Sequence, residues 1–202
     1  MRFSVIMPSY LGHYRNAANN REVKIERAIE SVLGQRFTDW ELIIIADGCD
    51  RTVEIAAPYF YENLPKIRLL EIEKQKLWSG TVRNSGISKA EGEIITYLDI
   101  DDKIGENHLQ IINDNFGDAD WVFYNDYYWD RKIKGFTEHE SRIVPGECGT
   151  SNISHRRSIN AWWKSNTYMH DFVMINTLIP FKMVKIPAPE YYVCHLPNRY
   201  DV

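Results

Sequence analysis

The stretch Ile94-Ile95-Thr96-Tyr97-Leu98-Asp99-Ile100-Asp101-Asp102 decides the fold. Its first five residues have the β-branched and aromatic content of a buried strand. Three carboxylates follow within four residues, so the acids stand at the carboxyl end of that strand, where open α/β sheets bind ligands. At about 4 Å and an effective dielectric near 20, each like-charged pair costs on the order of 4 kcal/mol. A hard divalent cation such as Mg²⁺ or Mn²⁺ removes that cost and keeps coordination positions for substrate phosphates. The competing reading is an acidic turn whose aspartates cap a helix. An EF-hand loop is a poor fit, because its sixth position favours Gly and here it is Ile104.

Upstream, strand and helix patterns alternate. Residues 2–8 read as a buried strand stopped by Pro8, with Ser9 and Tyr10 at its end. Residues 11–22 are polar and read as a mobile loop. Ile25, Ala28, Ile29, Val32 and Leu33 then fall on one face of a helix that Gly34 can end. Trp40 to Ala46 is a second strand, too continuously apolar to have a wet face, which marks a parallel strand covered on both sides. Asp47-Gly48-Cys49-Asp50 is its terminal loop. A helix from about Thr52 to Tyr61 follows despite Pro58, then a strand at residues 67–72, then a helix from Ser79 to Ala90 closed by Gly92. Such alternation calls for right-handed crossovers and a mostly parallel sheet. Its binding loops are Ser9-Tyr10, Asp47-Gly48 and Asp99 to Asp102.

After residue 105 the order changes. Asn107 to Phe116 reads as a helix and Trp121 to Tyr124 as a strand, followed by the aromatic cluster Tyr127, Tyr128 and Trp129. Residues 130–150 read as a hairpin or loop, with Gly135 and Pro145-Gly146 as turn signals. Ile159 to Trp163 and Asp171 to Leu178 read as helical, and Tyr191 to Cys194 as a short strand. The chain is expected to form one domain, with residues 1–105 as a ligand-binding half and 106–202 as a second half.

Composition narrows the function classes. With 202 residues, 44% apolar and 26% charged, the chain can bury a sizeable core. A net charge of −4 argues against nucleic acid as partner. No apolar run is long enough to cross a bilayer, and Phe3 to Met7 lacks the form of a signal peptide. Cys49, Cys148 and Cys194 are few, odd in number and far apart, which suits a reducing, cytoplasmic compartment and gives no zinc spacing. No Gly-x-Gly-x-x-Gly follows the first strand and no Gly-Lys-Ser/Thr phosphate loop occurs.

The ordered pieces Ser4 to Tyr10, Ala28 to Gln35, Trp40 to Gly48, Arg83-Asn84-Ser85-Gly86-Ile87, Ala90 to Ile95 and Leu98 to Asp102 resemble the inverting, nucleotide-sugar-dependent glycosyltransferases of family 2, which have the GT-A fold. The resemblance is clear over the first half and loose beyond Trp121. It implies a mostly parallel central sheet flanked by helices, and transfer of a sugar from a UDP- or GDP-sugar to a hydroxyl of a glycan or lipid-linked acceptor. Polysaccharide or glycoconjugate synthesis, in the cytoplasm or at a membrane surface, is the setting it suggests. A non-catalytic relative that binds a sugar nucleotide or a partner protein is the alternative. A nucleotidyltransferase would need a Gly-rich basic loop after the first strand, which Pro8-Ser9-Tyr10-Leu11-Gly12 lacks.

The resemblance also implies roles. Pro8 and Tyr10 would lie at the nucleobase, Tyr10 stacking on it. Asp47 would accept a base N–H, with Ala46 in place of the first acid of the family's usual pair; capping the next helix is its rival role. Asp99 would face ribose or metal. Asp101, with Asp102 as second candidate, would hold Mn²⁺ or Mg²⁺ on the diphosphate. Arg83 would meet base or phosphate, or else form a surface ion pair. Asp171 matches the family's catalytic base, with His170 replacing the usual acid before it; a helix cap is the competing role, and Asp126 is the reserve candidate. Arg15 and Arg21 would close over a diphosphate or join an oligomer contact. Trp162 and Trp163 would stack on a sugar or enter the core. His155 and His195 are either structural or phosphate or metal contacts.

Overall fold

The computed structural model describes residues 1–15, 17–75, 79–130, 132–164 and 169–194. Its centre is a seven-stranded sheet. β1 (Phe3–Ser9), β2 (Trp40–Asp47), β3 (Ile67–Ile72) and β4 (Ile94–Tyr97) come first, separated by α1 (Arg21–Leu33), α2 (Asp50–Glu62) and α3 (Ser79–Ile87). The sheet is completed by β6 (Trp121–Phe123), β9 (Ile153–Arg156) and β10 (Met183–Lys185), in the order β10-β6-β9-β4-β1-β2-β3. β1 runs parallel to both β2 and β4, and β2 parallel to β3. Every residue of β1, β2 and β4 is buried, as continuous apolar strands under two helical layers require. α1 lays Ile25, Ala28, Ile29 and Val32 on one side of the sheet. On the other, α3 and α5 (His170–Leu178) pack Val82, Ile87, Met174 and Ile175 against Ile6, Ile43 and Ile95. Gly86 permits this approach, because a Cβ there would stand 2.8 Å from Ile45 Cδ1.

The second half departs from the alternating pattern. α4 (His108–Phe116) packs Leu109, Ile112 and Phe116 into the core. β9 enters the main sheet antiparallel to both β4 and β6. The aromatic cluster is itself a strand, β7 (Asp126–Asp130), paired with β8 (Gly135–His139) as a hairpin. These two join β5 (Lys103–Ile104) and β11 (Tyr191–Val193) in a second sheet of order β5-β11-β7-β8. Two boundaries are corrected. α3 stops at Ile87 rather than Ala90. The helix expected at Ile159 to Trp163 is a 3-10 turn at Arg157–Ile159 followed by irregular chain, because Asn160 adopts a left-handed conformation (φ 53°) that a helix cannot continue.

Buried polar groups lock both ends of the central strands. Glu41, 1% exposed, accepts hydrogen bonds from Ser4 Oγ and Glu91 N, both at 2.6 Å, tying β2 to β1 and to the turn before β4. At the opposite end of β1, Ser9 and Thr52 share a 2.8 Å hydroxyl bond that fixes α2 to the strand end.

Candidate active site

The carboxyl ends of β1, β2 and β4 open on one cleft of about 1190 Å³, lined among others by Pro8, Tyr10, Asp47, Asp99, Asp101 and Asp171. Strand ends meet here because parallel strands all deliver their termini to one edge.

At one end of the cleft, Tyr10 follows β1 directly. Arg21 braces the chain beyond it, donating to the carbonyl oxygens of Tyr10 (2.7 Å), Leu11 (3.2 Å) and Gly12 (2.8 Å). Arg21, expected over a diphosphate or in an oligomer contact, is engaged with these carbonyls, while Arg15 lines the cleft. Asp47 ends β2 with its side chain 5% exposed. Its Oδ1 accepts from Gln75 N and its Oδ2 from Lys74 Nζ, both at 2.6 Å. The same ammonium lies 4.1 Å from the centroid of the Tyr10 ring. Gly48 turns the chain at φ +56°, and a Cβ there would stand within 2.7 Å of Lys74 Cβ, N and Cα. Ala46 is buried inside β2.

The acid turn lies at the middle. Asp102 N donates to Asp99 O at 3.0 Å, closing the turn, and Arg27 donates to the backbone oxygen of Asp101 at 2.7 Å. Asp99 Oδ1 receives Arg83 Nη2 at 2.5 Å, and Thr150 Oγ1 lies 3.5 Å from Oδ2. Arg83 is corrected from a direct base or phosphate contact. Its side chain is 2% exposed, held by Ser79 Oγ (2.7 Å) and stacked 4.8 Å from the Trp163 ring, so it supports the acids from behind. Burial alone would ease its proton away; the charges of Asp99 and Asp171 outweigh that and keep it cationic. Trp163 is therefore core, 3% exposed.

Asp102 is 4% exposed and turned inward, accepting Cys194 N at 2.6 Å and the Tyr191 hydroxyl at 3.0 Å. Tyr191 Oη in turn accepts Asp99 N at 3.2 Å. Burial, then the neighbouring charges of Asp101 and Asp99, push the Asp102 pKa well above the usual carboxylate range. Asp102 thus lines the cleft while anchoring β11 through both carboxylate oxygens.

At the far end, Asp171 occupies the first turn of α5, where a negative charge suits the helix dipole. His170 Nδ1 lies 2.9 Å from Asp171 Oδ1. Burial pushes the Asp171 pKa up, but the adjoining His170 ring and the Arg83 charge more than reverse this, holding it below the ordinary carboxylate value. Asp126, the reserve base, is removed from consideration: fully buried, it accepts Ser151 Oγ at 2.7 Å and pairs with His139 Nδ1 at 2.9 Å. His155 is structural, hydrogen-bonded to the Tyr97 hydroxyl at 2.7 Å and pushed down to about 4 by burial. His195 lies outside the described residues.

Several cleft residues escaped the sequence reading. Lys74 and Gln75 follow β3 at the binding edge, a position the strand-end rule could have flagged. Tyr14 stands close enough to Asp101 and Asp99 that, after burial, their charges help raise its pKa. Tyr128 lines the second half of the cleft, signalled only by the aromatic density around it, beside Thr150 and Ser151, which belong to the stretch 149–158 that resembles the family's acceptor-side loop.

The sequence profile of "Glycosyl transferase family 2" matches residues 4–179. The chain belongs to that family. Among curated relatives, the uncharacterized glycosyltransferase YibD of Escherichia coli is 36% identical over 191 residues, covering 88% of this chain and 51% of that one. The chain thus spans about half the length of this relative. A UDP-Glc:alpha-D-GlcNAc-diphosphoundecaprenol beta-1,3-glucosyltransferase of Escherichia coli, WfgD, is 33% identical over 108 residues, 54% of this chain and 38% of the relative. Among solved structures, Staphylococcus aureus TarS 1–349 in complex with UDP-GlcNAc superposes with a TM-score of 0.72 at 18% identity, covering 96% of this chain and 58% of that one. The mannosyltransferase PcManGT from Pyrobaculum calidifontis, in complex with GDP-Man and Mn²⁺, gives 0.68 at 14% identity, covering 98% and 58%. Such likeness shows the fold, which is the GT-A type that the family-2 motifs imply.

The acid turn offers two carboxylates at the cleft surface. Among the described residues no group of three His, Cys, Asp or Glu side chains is arranged to hold a metal. Asp101 and Asp99 instead offer hard oxygens at the cleft surface, with room for phosphate oxygens and water to complete the shell.

Proposed function

We propose that the chain transfers a sugar from a UDP-sugar, or secondarily a GDP-sugar, to an acceptor hydroxyl with inversion at the anomeric carbon. The observation that carries this reading is the single cleft shared by Tyr10, Asp47, the acid turn and Asp171. An aromatic face and a carboxylate stand at one end, where base stacking is worth roughly 1–3 kcal/mol. UDP is preferred because the related proteins TarS and WfgD carry UDP-linked donors in their descriptions.

In this mechanism Tyr10 stacks on the base and Asp47 accepts its ring N–H. Arg83 holds Asp99 against the donor while staying out of contact itself. Asp101, with Asp99, would hold Mn²⁺ or Mg²⁺, which when bound neutralises charge on the departing diphosphate. Asp171, ionised through His170 and Arg83, takes the proton from the acceptor hydroxyl as it attacks the face opposite the diphosphate. The acceptor is a glycan or lipid-linked sugar, met in the cytoplasm or at a membrane surface; no helix among the described residues is long and apolar enough to cross a membrane.

Calorimetry with UDP, GDP and CDP, each with and without Mn²⁺, tests the donor side. Tightest binding is expected for UDP with Mn²⁺. If no nucleoside diphosphate gains affinity from the metal, the metal assignment fails. Slow hydrolysis of a panel of sugar nucleotides then names the sugar without knowledge of the acceptor.

A further inference from the structure

Lys74 stands where the donor's base is expected. Its Nζ is 2.6 Å from Asp47 Oδ2 and 4.1 Å from the Tyr10 ring centroid. Those are the two contacts a nucleobase would make: a ring N–H on the carboxylate and a π-face on the tyrosine. One ammonium satisfies both, and a base cannot occupy the slot until it leaves. The position is built rather than accidental. Gly48, in a left-handed turn, has no side chain and so admits the Lys74 backbone and Cβ at distances no other residue would allow. Gln75 N holds the other oxygen of Asp47 at 2.6 Å, aiming Oδ2 at Lys74. The side chain is 41% exposed, so its head can swing into solvent without disturbing the core.

We infer that Lys74 is a resident competitor for the nucleobase, and that donor binding is an exchange in which the base displaces this ammonium from Tyr10 and Asp47. The inference rests on the donor reading above and deepens it. It makes Lys74 a specificity-determining residue. A ligand with a flat π-face and an N–H edge recovers both contacts that it breaks, whereas one lacking either does not. Diphosphate alone, bound at the acid turn, leaves Lys74 in place.

The test uses the whole chain with Lys74→Ala and Lys74→Arg. Uridine binding is measured by NMR titration, UDP and pyrophosphate binding by calorimetry with Mn²⁺. Uridine is neutral, so losing a positive charge does not itself alter its attraction. A cation–π contact and a part-exposed ion pair are together worth a factor of about 3 to 30, so Lys74→Ala is expected to bind uridine about 3- to 30-fold more tightly. Lys74→Arg, which keeps a cation in the slot, is expected to stay near the parent. Pyrophosphate is expected to change less than twofold in either. Unchanged or weaker uridine binding by Lys74→Ala, while the parent still binds UDP, overturns the competitor role and leaves the donor reading standing. Failure of the parent and both variants to bind UDP or uridine overturns both.

Discussion

The two ends of the cleft are built differently. At the base end, Pro8 and Asp47 belong to strands buried along their whole length, and Tyr10 follows one directly. At the acceptor end, Asp171 stands on the first turn of a nine-residue helix, and Thr150 and Ser151 on a 3-10 turn. On the proposed function, regular strands fix the positions of the groups that hold the donor, while turns and hairpins carry the groups on the acceptor side. Buried parallel strands tolerate little change, whereas loops absorb insertion and substitution.

That contrast predicts separable losses. Asp171→Asn is expected to lower kcat by about 10²–10⁴ while leaving UDP affinity within twofold, since a base contributes to the chemical step alone. A parallel loss of UDP affinity in calorimetry would make the two ends one unit. Arg83→Met removes a buried cation that faces both Asp99 and Asp171. A loss of about 1–3 kcal/mol in denaturant unfolding is expected, because the buried guanidinium's charged hydrogen bond is lost while its carboxylate partners, about a third exposed, still reach water. Tyr10→Ala should do the reverse of Asp171→Asn, weakening UDP by about 5- to 150-fold, the range set by stacking of roughly 1–3 kcal/mol. Its kcat at saturating donor should hold. Tyr191→Phe cuts the Asp99 N–H to Tyr191 to Asp102 relay and should cost about 1–2 kcal/mol in stability.

The Asp171 pKa sharpens the same comparison. Its folded value lies below the unfolded one. Its contribution to stability is therefore present above the unfolded carboxylate range, near pH 4, and is lost as pH falls through the lower folded value. The acidic limb of kcat/KM should fall below pH about 4. Replacing His170 by Asn removes the nearest cause of that depression, so the limb should move to higher pH.

How far the sequence could be read follows the same divide. Continuous apolar runs announced β1, β2 and β4, and the i, i+3, i+4 pattern announced α1, because both signals are local and periodic. β9 and β10 were missed: Ile153-Ser154-His155-Arg156 is short and mixed in character, and it becomes a strand only because β4 and β6 offer edges on either side. Ile159 to Trp163 looked helical from composition, yet the left-handed Asn160 and the burial of Trp163 over Arg83 decide otherwise. Asp102 illustrates the limit for sites. Three nearby acids are alike in sequence, and only the position of Cys194 N and Tyr191 shows which one faces the interior. Arg83 is similar: its motif was visible, but its burial was not.

β9 has a further consequence. Its four residues come from the second half of the chain, yet they lie between β4 and β6 and seal the open side of β4. A fragment ending near residue 105 would leave Ile94 and Ile95 on a bare strand edge, an invitation to self-association. The halves are therefore a single inheritance rather than exchangeable cassettes. The β7–β8 hairpin stands in the second sheet, away from this seam, but the short stitch of β9 must travel with the strands it closes.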